Sequence, residues 1–339
     1  MPRMVLHCLG AALFLGCTMA AAADFDPVLQ GDRPLGEPLV HPDWFRLSFL
    51  DLREDLREAK ATGKGLILYY GQDDCPYCRA HLVNNWERPD IVAYTRRHFE
   101  VVAIDVRGAR LVTDFDGREL TEKAFAARHR IDFTPTLEFY RGDGRPVLRL
   151  AGYRPPYSFR AALEYVADGH DRRESLRDYL ARAVTASSYG RDELNANELF
   201  APPPYDLTRS AARPGRPLVV FFEQRRCHPC DVLHAGPLED EAIRARLRRF
   251  DVIQLDMWAD TPLVTPDGRR HTARRWADEL GVDYAPTLVF FDGRGQEVLR
   301  LASVVGFWRL QGVLDYVLDE GYRRYPGFIQ WREAQHRRR

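Results

Sequence analysis

The chain has 339 residues, enough for two ordinary domains, and 45% of them are apolar, so each half can bury a core of its own. Basic and acidic residues balance at 49 each, which excludes the strong net field that draws a protein to nucleic acid or anionic lipid. The basic set is nearly all arginine, with Lys60, Lys64 and Lys123 as its lysines.

Arg3 precedes an apolar stretch from Val5 to about Met19, and Ala20 to Ala23 supply small residues before Asp24. That order predicts a secretory signal over 1–23, cleaved near Ala23, and a periplasmic or secreted mature protein. Two alternatives stay open. One is a retained anchor, for which the run is short. The other is lipidation at Cys17, which follows Leu15-Gly16 but has a poorly fitting Phe14. Of six cysteines, Cys8 and Cys17 fall in this segment, leaving the pairs Cys75/Cys78 and Cys227/Cys230. Vicinal pairs close loops too short to restrain the unfolded chain, so this is not a disulfide-stapled scaffold.

The pairs are 152 residues apart, and the sequence around them repeats. Gly63-Lys64 before Leu66–Tyr70 corresponds to Gly215-Arg216 before Leu218–Phe222. Phe99–Asp105 corresponds to Phe250–Asp256, and Leu111-Val112-Thr113 to Leu263-Val264-Thr265. Val147–Ala151 is identical to Val298–Ala302.

Each half predicts the same elements in chain order. An apolar strand runs into the cysteine pair. A helix follows, to about Val83 or Ala235, and another starts near Pro89 or Leu238. A strand covers Val101–Val106 or Val252–Met257. A polar loop leads to a helix over Thr121–His129 or Thr272–Leu280. Strands begin at Thr136 and Thr287, hairpin turns lie at Gly142–Gly144 and Asp292–Gly295, and helices near Phe159–Ala167 and Leu310–Glu320 close the units. This is a mixed β-sheet flanked by helices, an α/β class, twice over. The boundaries are 41–170 for the first domain and 205–322 for the second. Between them lies a linker, 171–204, with a helix over Asp171–Ala186 and a break at Ala201-Pro202-Pro203-Pro204. Residues 323–339 form a basic tail ending in Arg337–Arg339, read as solvated.

Each first cysteine follows a strand and opens a helix, where unpaired N–H groups and the helix dipole stabilise a thiolate. Cys75 and Cys227 are therefore the candidate nucleophiles, and Cys78 and Cys230 would resolve the mixed disulfide. An inert disulfide and a four-cysteine zinc site are the competing readings. The wide separation of the pairs speaks against zinc, and neither a metal nor another cofactor is expected. Pro135 and Pro286 lie 60 and 59 residues after the first cysteines, each ahead of a β-rich run. A cis X-Pro bond costs little, so each can hold a tight turn beside a site. His81 and His234 read as solvated helix residues. Tyr69-Tyr70 and Phe221-Phe222 read as core strand residues.

A helix-opening Cys-x-x-Cys with Thr134-Pro135 or Ala285-Pro286 about sixty residues later resembles the thioredoxin superfamily. Over Asp43–Gly169 the first half is similar to SoxW-type periplasmic thioredoxins. The residues that carry this are Ser48–Asp55, Cys75-Pro76-Tyr77-Cys78, the loop Leu111–Lys123 and Phe133-Thr134-Pro135-Thr136. The second half matches the pattern over roughly Leu218–Glu320. The resemblance implies two tandem thioredoxin-like folds, cis Pro135 and Pro286, and thiol–disulfide exchange with protein thiols. One departure is plain. Thioredoxins carry a buried acid six residues before the first cysteine, and here Tyr69 and Phe221 stand there. Proton transfer from Cys78 and Cys230 must then use water or another group.

The expected activity is that of a periplasmic thiol–disulfide oxidoreductase kept reduced by a membrane-bound electron donor. Substrate would lie extended along Thr134-Pro135 and Ala285-Pro286. A disulfide isomerase or chaperone is the alternative, and a non-enzymatic docking protein the third reading. The flanks predict different redox poise. Asp73-Asp74 precede Cys75, whereas Arg225-Arg226 precede Cys227 and His228 follows it. Cations favour a thiolate, so Cys227 is expected to have the lower pKa and the second domain to be the stronger oxidant.

Overall fold

The computed structural model describes Asp32, Gly36 and residues 38–183, 193–209 and 215–337. The expected signal peptide, 1–23, lies outside these residues, as do linker positions 184–192 and the last two arginines.

Asp51 starts helix α1 (Leu52–Ala61), its carboxylate accepting the N–H groups of Arg53 and Glu54. Leu52, Leu56 and Ala59 repeat on one face and are buried. The continuous apolar run that follows forms strand β1 (Gly65–Gly71), buried at every position as a central strand must be. Helices α2 (Pro76–Trp86) and α3 (Pro89–His98) lead to β2 (Phe99–Asp105). The predicted polar loop contains a small hairpin, β3 (Leu111–Thr113) and β4 (Glu119–Thr121), ahead of α4 (Glu122–Arg128). Strands β5 (Thr136–Tyr140) and β6 (Pro146–Ala151) and helix α5 (Pro156–Ala167) complete the unit. The sheet order is β2-β1-β5-β6, with β1 parallel to β2 and antiparallel to β5.

The expected helix over Asp171–Ala186 is split. A 3-10 turn at His170–Arg172 ends, and α6 (Leu176–Ala183) restarts where Ser175 Oγ accepts the Asp178 N–H. Leu176 and Leu180 of α6 join the first domain's core, so this part of the predicted linker belongs to that domain.

The second unit repeats the design. β7 (Tyr205–Asp206) precedes β8 (Leu218–Glu223), α7 (His228–Ala235), α8 (Glu241–Leu247) and β9 (Asp251–Asp256). Then come β10 (Pro262–Val264), β11 (Arg270–Thr272), α9 (Ala273–Glu279), β12 (Thr287–Phe291), β13 (Glu297–Ala302) and α10 (Phe307–Leu318). The sheet order β13-β12-β8-β9 mirrors the first. The expected tail is corrected: α11 (Phe328–His336) is a helix whose Phe328, Ile329 and Trp331 are buried. Phe328 and Trp331 enter the second core, while Ile329 enters the first. Three apolar residues within four positions outweigh the basic end of the segment.

The halves meet through corresponding loops. Before β5, Asp132 accepts the Phe328 N–H at 2.7 Å, and Phe133 packs in the second domain's core. Before β12, Asp283 accepts from the buried Arg154 at 3.1 Å, and the same guanidinium covers the Tyr284 ring. Gly152 has φ +89, and a Cβ there would collide with Ser303 of the other half.

Candidate active sites

The run of β1 ends at Gly71, and a turn with Asp74 at positive φ delivers Cys75 as the N-cap of α2. Cys75 and Cys78 form a disulfide, and the Cys78 N–H donates to Cys75 Sγ at 3.0 Å. The Thr134–Pro135 bond is cis. Cys75 Sγ stands 3.6 Å from Thr134 O and 3.3 Å from Thr134 Oγ1. The second site is built the same way. Arg226 is at positive φ, Cys227 caps α7, and Cys227 and Cys230 are bonded. The Cys230 N–H donates to Cys227 Sγ at 3.2 Å, and that sulfur is 3.6 Å from the carbonyl of Ala285, which precedes a cis Pro286. In each reduced site, a helix N-terminus and an amide donor would stabilise the first sulfur as thiolate. Only the first site adds a hydroxyl, from Thr134.

The predicted tuning residues do not converge on the sulfurs. His228 is exposed, and the Cys227 sulfur accepts from the Cys230 amide rather than from the imidazole. Arg225 is exposed and faces Asp256 at 3.6 Å, which offsets its charge. Arg226 is exposed as well. Asp73 is turned to the N-terminal segment, where it accepts the Leu39 N–H. Asp74 alone of the acidic pair lines the cleft beside Cys75.

The cleft, about 730 Å³, lies between the halves with Cys75, Tyr77 and Thr134 on one wall and Trp308, Arg309 and Trp331 on the other. Arg309, from α10, donates to Thr134 O at 2.9 Å and lies 3.4 Å from the centre of the Tyr77 ring. The carbonyl expected to pair with substrate is thus already engaged. Burial pushes the Arg309 pKa down, against the opposing pull of Tyr77 and Asp32. Asp32 is buried, takes the Tyr77 hydroxyl at 2.9 Å, and caps α10 by accepting the N–H groups of Trp308 and Arg309.

A family model described as a thioredoxin-like domain matches residues 52–167 and again 206–318, together more than half of the chain. The chain belongs to the thioredoxin-like family. Among solved structures it is similar to a thioredoxin-fold protein from Helicobacter pylori, at 20% identity over 37% of this chain and 87% of that one, TM-score 0.34. It is also similar to a thioredoxin from Thermus thermophilus, at 27% identity over 34% and 83% of the chains, TM-score 0.28. The reduced C-terminal domain of Neisseria meningitidis DsbD shares 17% identity over 31% and 84%, TM-score 0.25. No curated protein sequence matches the chain. Family membership rests on the two matched segments. With a Cys-x-x-Cys at the head of a helix in each of two thioredoxin-like domains, the chain is a thiol–disulfide oxidoreductase.

Behind the sulfurs the two thioredoxin-like domains differ. Tyr69 and Phe221 stand where the family's acid is expected, and both are fully buried. The histidines are not solvated, contrary to expectation. His81 has no exposed surface, stacks near Tyr69, meets Trp86 edge-on, and is held by burial at a pKa of about 3, so it stays neutral. His234 is buried against Glu223, its Nε2 2.9 Å from Oε1. Glu223 ends β8 four residues before Cys227, on the same strand face as Phe221, and also accepts from Gln254. This buried acid escaped the sequence reading because it looks like the polar boundary of an apolar run. The first domain has Gly71 at the matching strand position. Among the described residues no group of histidine, cysteine and acid side chains could hold a metal ion, and no helix is long and apolar enough to cross a membrane.

Proposed function

We propose that the mature protein works in the periplasm, exchanging disulfides with protein thiols through both sites and kept reduced by a membrane-bound electron donor. The observation that carries the site reading is the position of Cys75 and Cys227. Each sulfur heads a helix, accepts the amide of its partner cysteine, and adjoins the carbonyl before Pro135 or Pro286. The Cys75 thiolate attacks a substrate disulfide, one substrate thiolate leaves, and a mixed disulfide forms. Cys78 then attacks Cys75 Sγ, the Cys75–Cys78 bond closes, and the second substrate thiol is released with two electrons. Cys227 and Cys230 repeat the sequence. At the second site an extended substrate would lie along Ala285-Pro286, whereas the first site is approached through the cleft. The order of basic, apolar and small residues ahead of Asp24 supports export.

The test is a trap in the secreted compartment. Cys78→Ser and Cys230→Ser should accumulate mixed disulfides with partner proteins, and Cys75→Ser and Cys227→Ser should not. Equal trapping by first- and second-cysteine variants would refute the role assignment. N-terminal sequencing of the same material should find a start near Asp24. An intact Met1 or a lipid on Cys17 would refute the location.

A second reading, disulfide isomerase, is favoured by the cleft of about 730 Å³ that Cys75 lines between the halves. Reactivation of scrambled ribonuclease well above the rate of a single thioredoxin-like domain would select it.

A further inference from the structure

We propose that Arg309, a residue of the second domain, is the positioning cation of the first domain's site: it stabilises the Cys75 thiolate and completes that reactive centre across the domain interface. The inference rests on the reading of Cys75 as the attacking sulfur.

The geometry is direct. Arg309 Nη2 is 2.9 Å from Thr134 O, and Thr134 O is 3.6 Å from Cys75 Sγ, so the guanidinium nitrogen is within about 6.5 Å of the sulfur, the sum of the two. The guanidinium is also fixed in place by Tyr77, the residue before Cys78, whose ring it covers at 3.4 Å. Arg309 is 8% exposed, so water screens it little. A guanidinium is not deprotonated in proteins. An opposite charge at about 4–6 Å lowers a thiol pKa by one unit or more, and the first site already offers the Cys78 amide and the Thr134 hydroxyl as donors. The second site has alanine at the position of Thr134, and valine, Val304 and Val305, where the first has Tyr153 and Arg154.

The other charges around Cys75 do not replace this cation. Asp74, on the turn ahead of α2, and Asp32, on the N-terminal segment, are anions that oppose ionisation. Lys123 of α4 and Arg107 after β2 both converge on Glu333 of α11. From α10, Asp315 is held by Arg246, while Asp319 lies exposed on the rim, as do His336 and Arg337. Arg332 of α11 lines the same cleft and adds to the positive side. Tyr77 is neutral, its pKa raised by burial.

The experiment uses the full-length reduced protein. Alkylation with iodoacetamide is followed against pH, and the Cys75, Cys78 and Cys227 peptides are quantified separately by mass spectrometry. The midpoint of each profile reports charge, and the plateau at high pH reports access. Arg309→Gln should raise the Cys75 midpoint by about one unit, a roughly tenfold slower reaction below it, and Arg309→Lys should recover most of the shift. Asp32→Asn keeps a capping side chain but removes an anion, so it should move the Cys75 midpoint down. The Cys227 midpoint should stay fixed in all three. A merely structural role for Arg309 would shift the Cys75 midpoint equally in Arg309→Gln and Arg309→Lys or change plateaus alone, and either result overturns the proposal. A low-midpoint Cys75 that ignores Arg309 would overturn it while leaving Cys75 as nucleophile. Low-pH alkylation falling on Cys78 would overturn the nucleophile assignment and the proposal with it.

Discussion

Glu138 has no exposed surface, yet it sits in the middle of β5 as a charged group. Four side chains meet it: the hydroxyls of Tyr70 and Tyr140 at 2.8 and 2.6 Å, His129 Nδ1 at 3.0 Å, and Arg149 Nε at 2.8 Å. Burial alone would raise its pKa, but the bond to His129 and the charge of Arg149 hold it at about 2, below its usual 4.5. A depressed carboxylate stabilises the fold above its unfolded pKa and loses that contribution as pH falls through the folded one. First-domain stability should therefore decline between about pH 4.5 and pH 2. Glu138→Gln should cost on the order of 2 kcal/mol at pH 7 and flatten that acid slope, read from urea midpoints against pH. An unchanged slope would remove Glu138 from the account. At this scale the sequence marked what the repeat marks: four cysteines and two prolines at matched spacing. It did not place His81 and His234, because a helix period cannot say which face will dock. Nor could it find Arg309, whose partners Thr134 and Tyr77 lie in the other domain.

The elements near the sulfurs were legible because local chemistry fixes them. Apolar runs gave the central strands, the cysteine pair gave the start of α2, Pro89 gave the first turn of α3, and Thr136 and Thr287 are the observed starts of β5 and β12. Elements that need tertiary support were missed. The three-residue strands of the β3–β4 hairpin carry almost no periodic signal, and the hairpin is secured by Asp114, which accepts the N–H groups of Asp116 and Arg118. Helix α1 had a readable signal in Asp51, a side chain that caps two amides. Asp51→Ala should cost about 1 kcal/mol, as loss of a helix cap usually does. Because Asp51 also bridges to Thr113, the effect should appear as faster amide exchange in both α1 and β3. Exchange confined to α1 would show that α1 and β3 open independently.

The repeat reveals how each half folds but not how the halves face each other, since paired surfaces need residues that differ. The interface uses corresponding loops whose partners differ: Asp132 takes the Phe328 N–H, and Asp283 takes Arg154. Gly152 stands opposite Ser303, and α11, which follows a 3-10 turn as α6 does in the first half, carries different side chains. Helix α11 is the clearest case, because neighbouring residues serve different domains. Phe328 packs with Phe133, Tyr316 and Trp331 in the second core, and Ile329 packs among the Leu52, Leu68 and Val102 cluster of the first. Large-to-alanine changes in cores cost about 2–5 kcal/mol, by lost burial and by the cavity left behind. Ile329→Ala should therefore loosen the first domain from outside its own segment, with faster exchange in β1 and β2. Phe328→Ala should act first on β8 and β12. Adjacent positions would then report on different cores. If both variants protected and exposed the same strands, α11 would belong to one domain only, and the two thioredoxin-like units would be linked by surface contacts rather than by a shared interior.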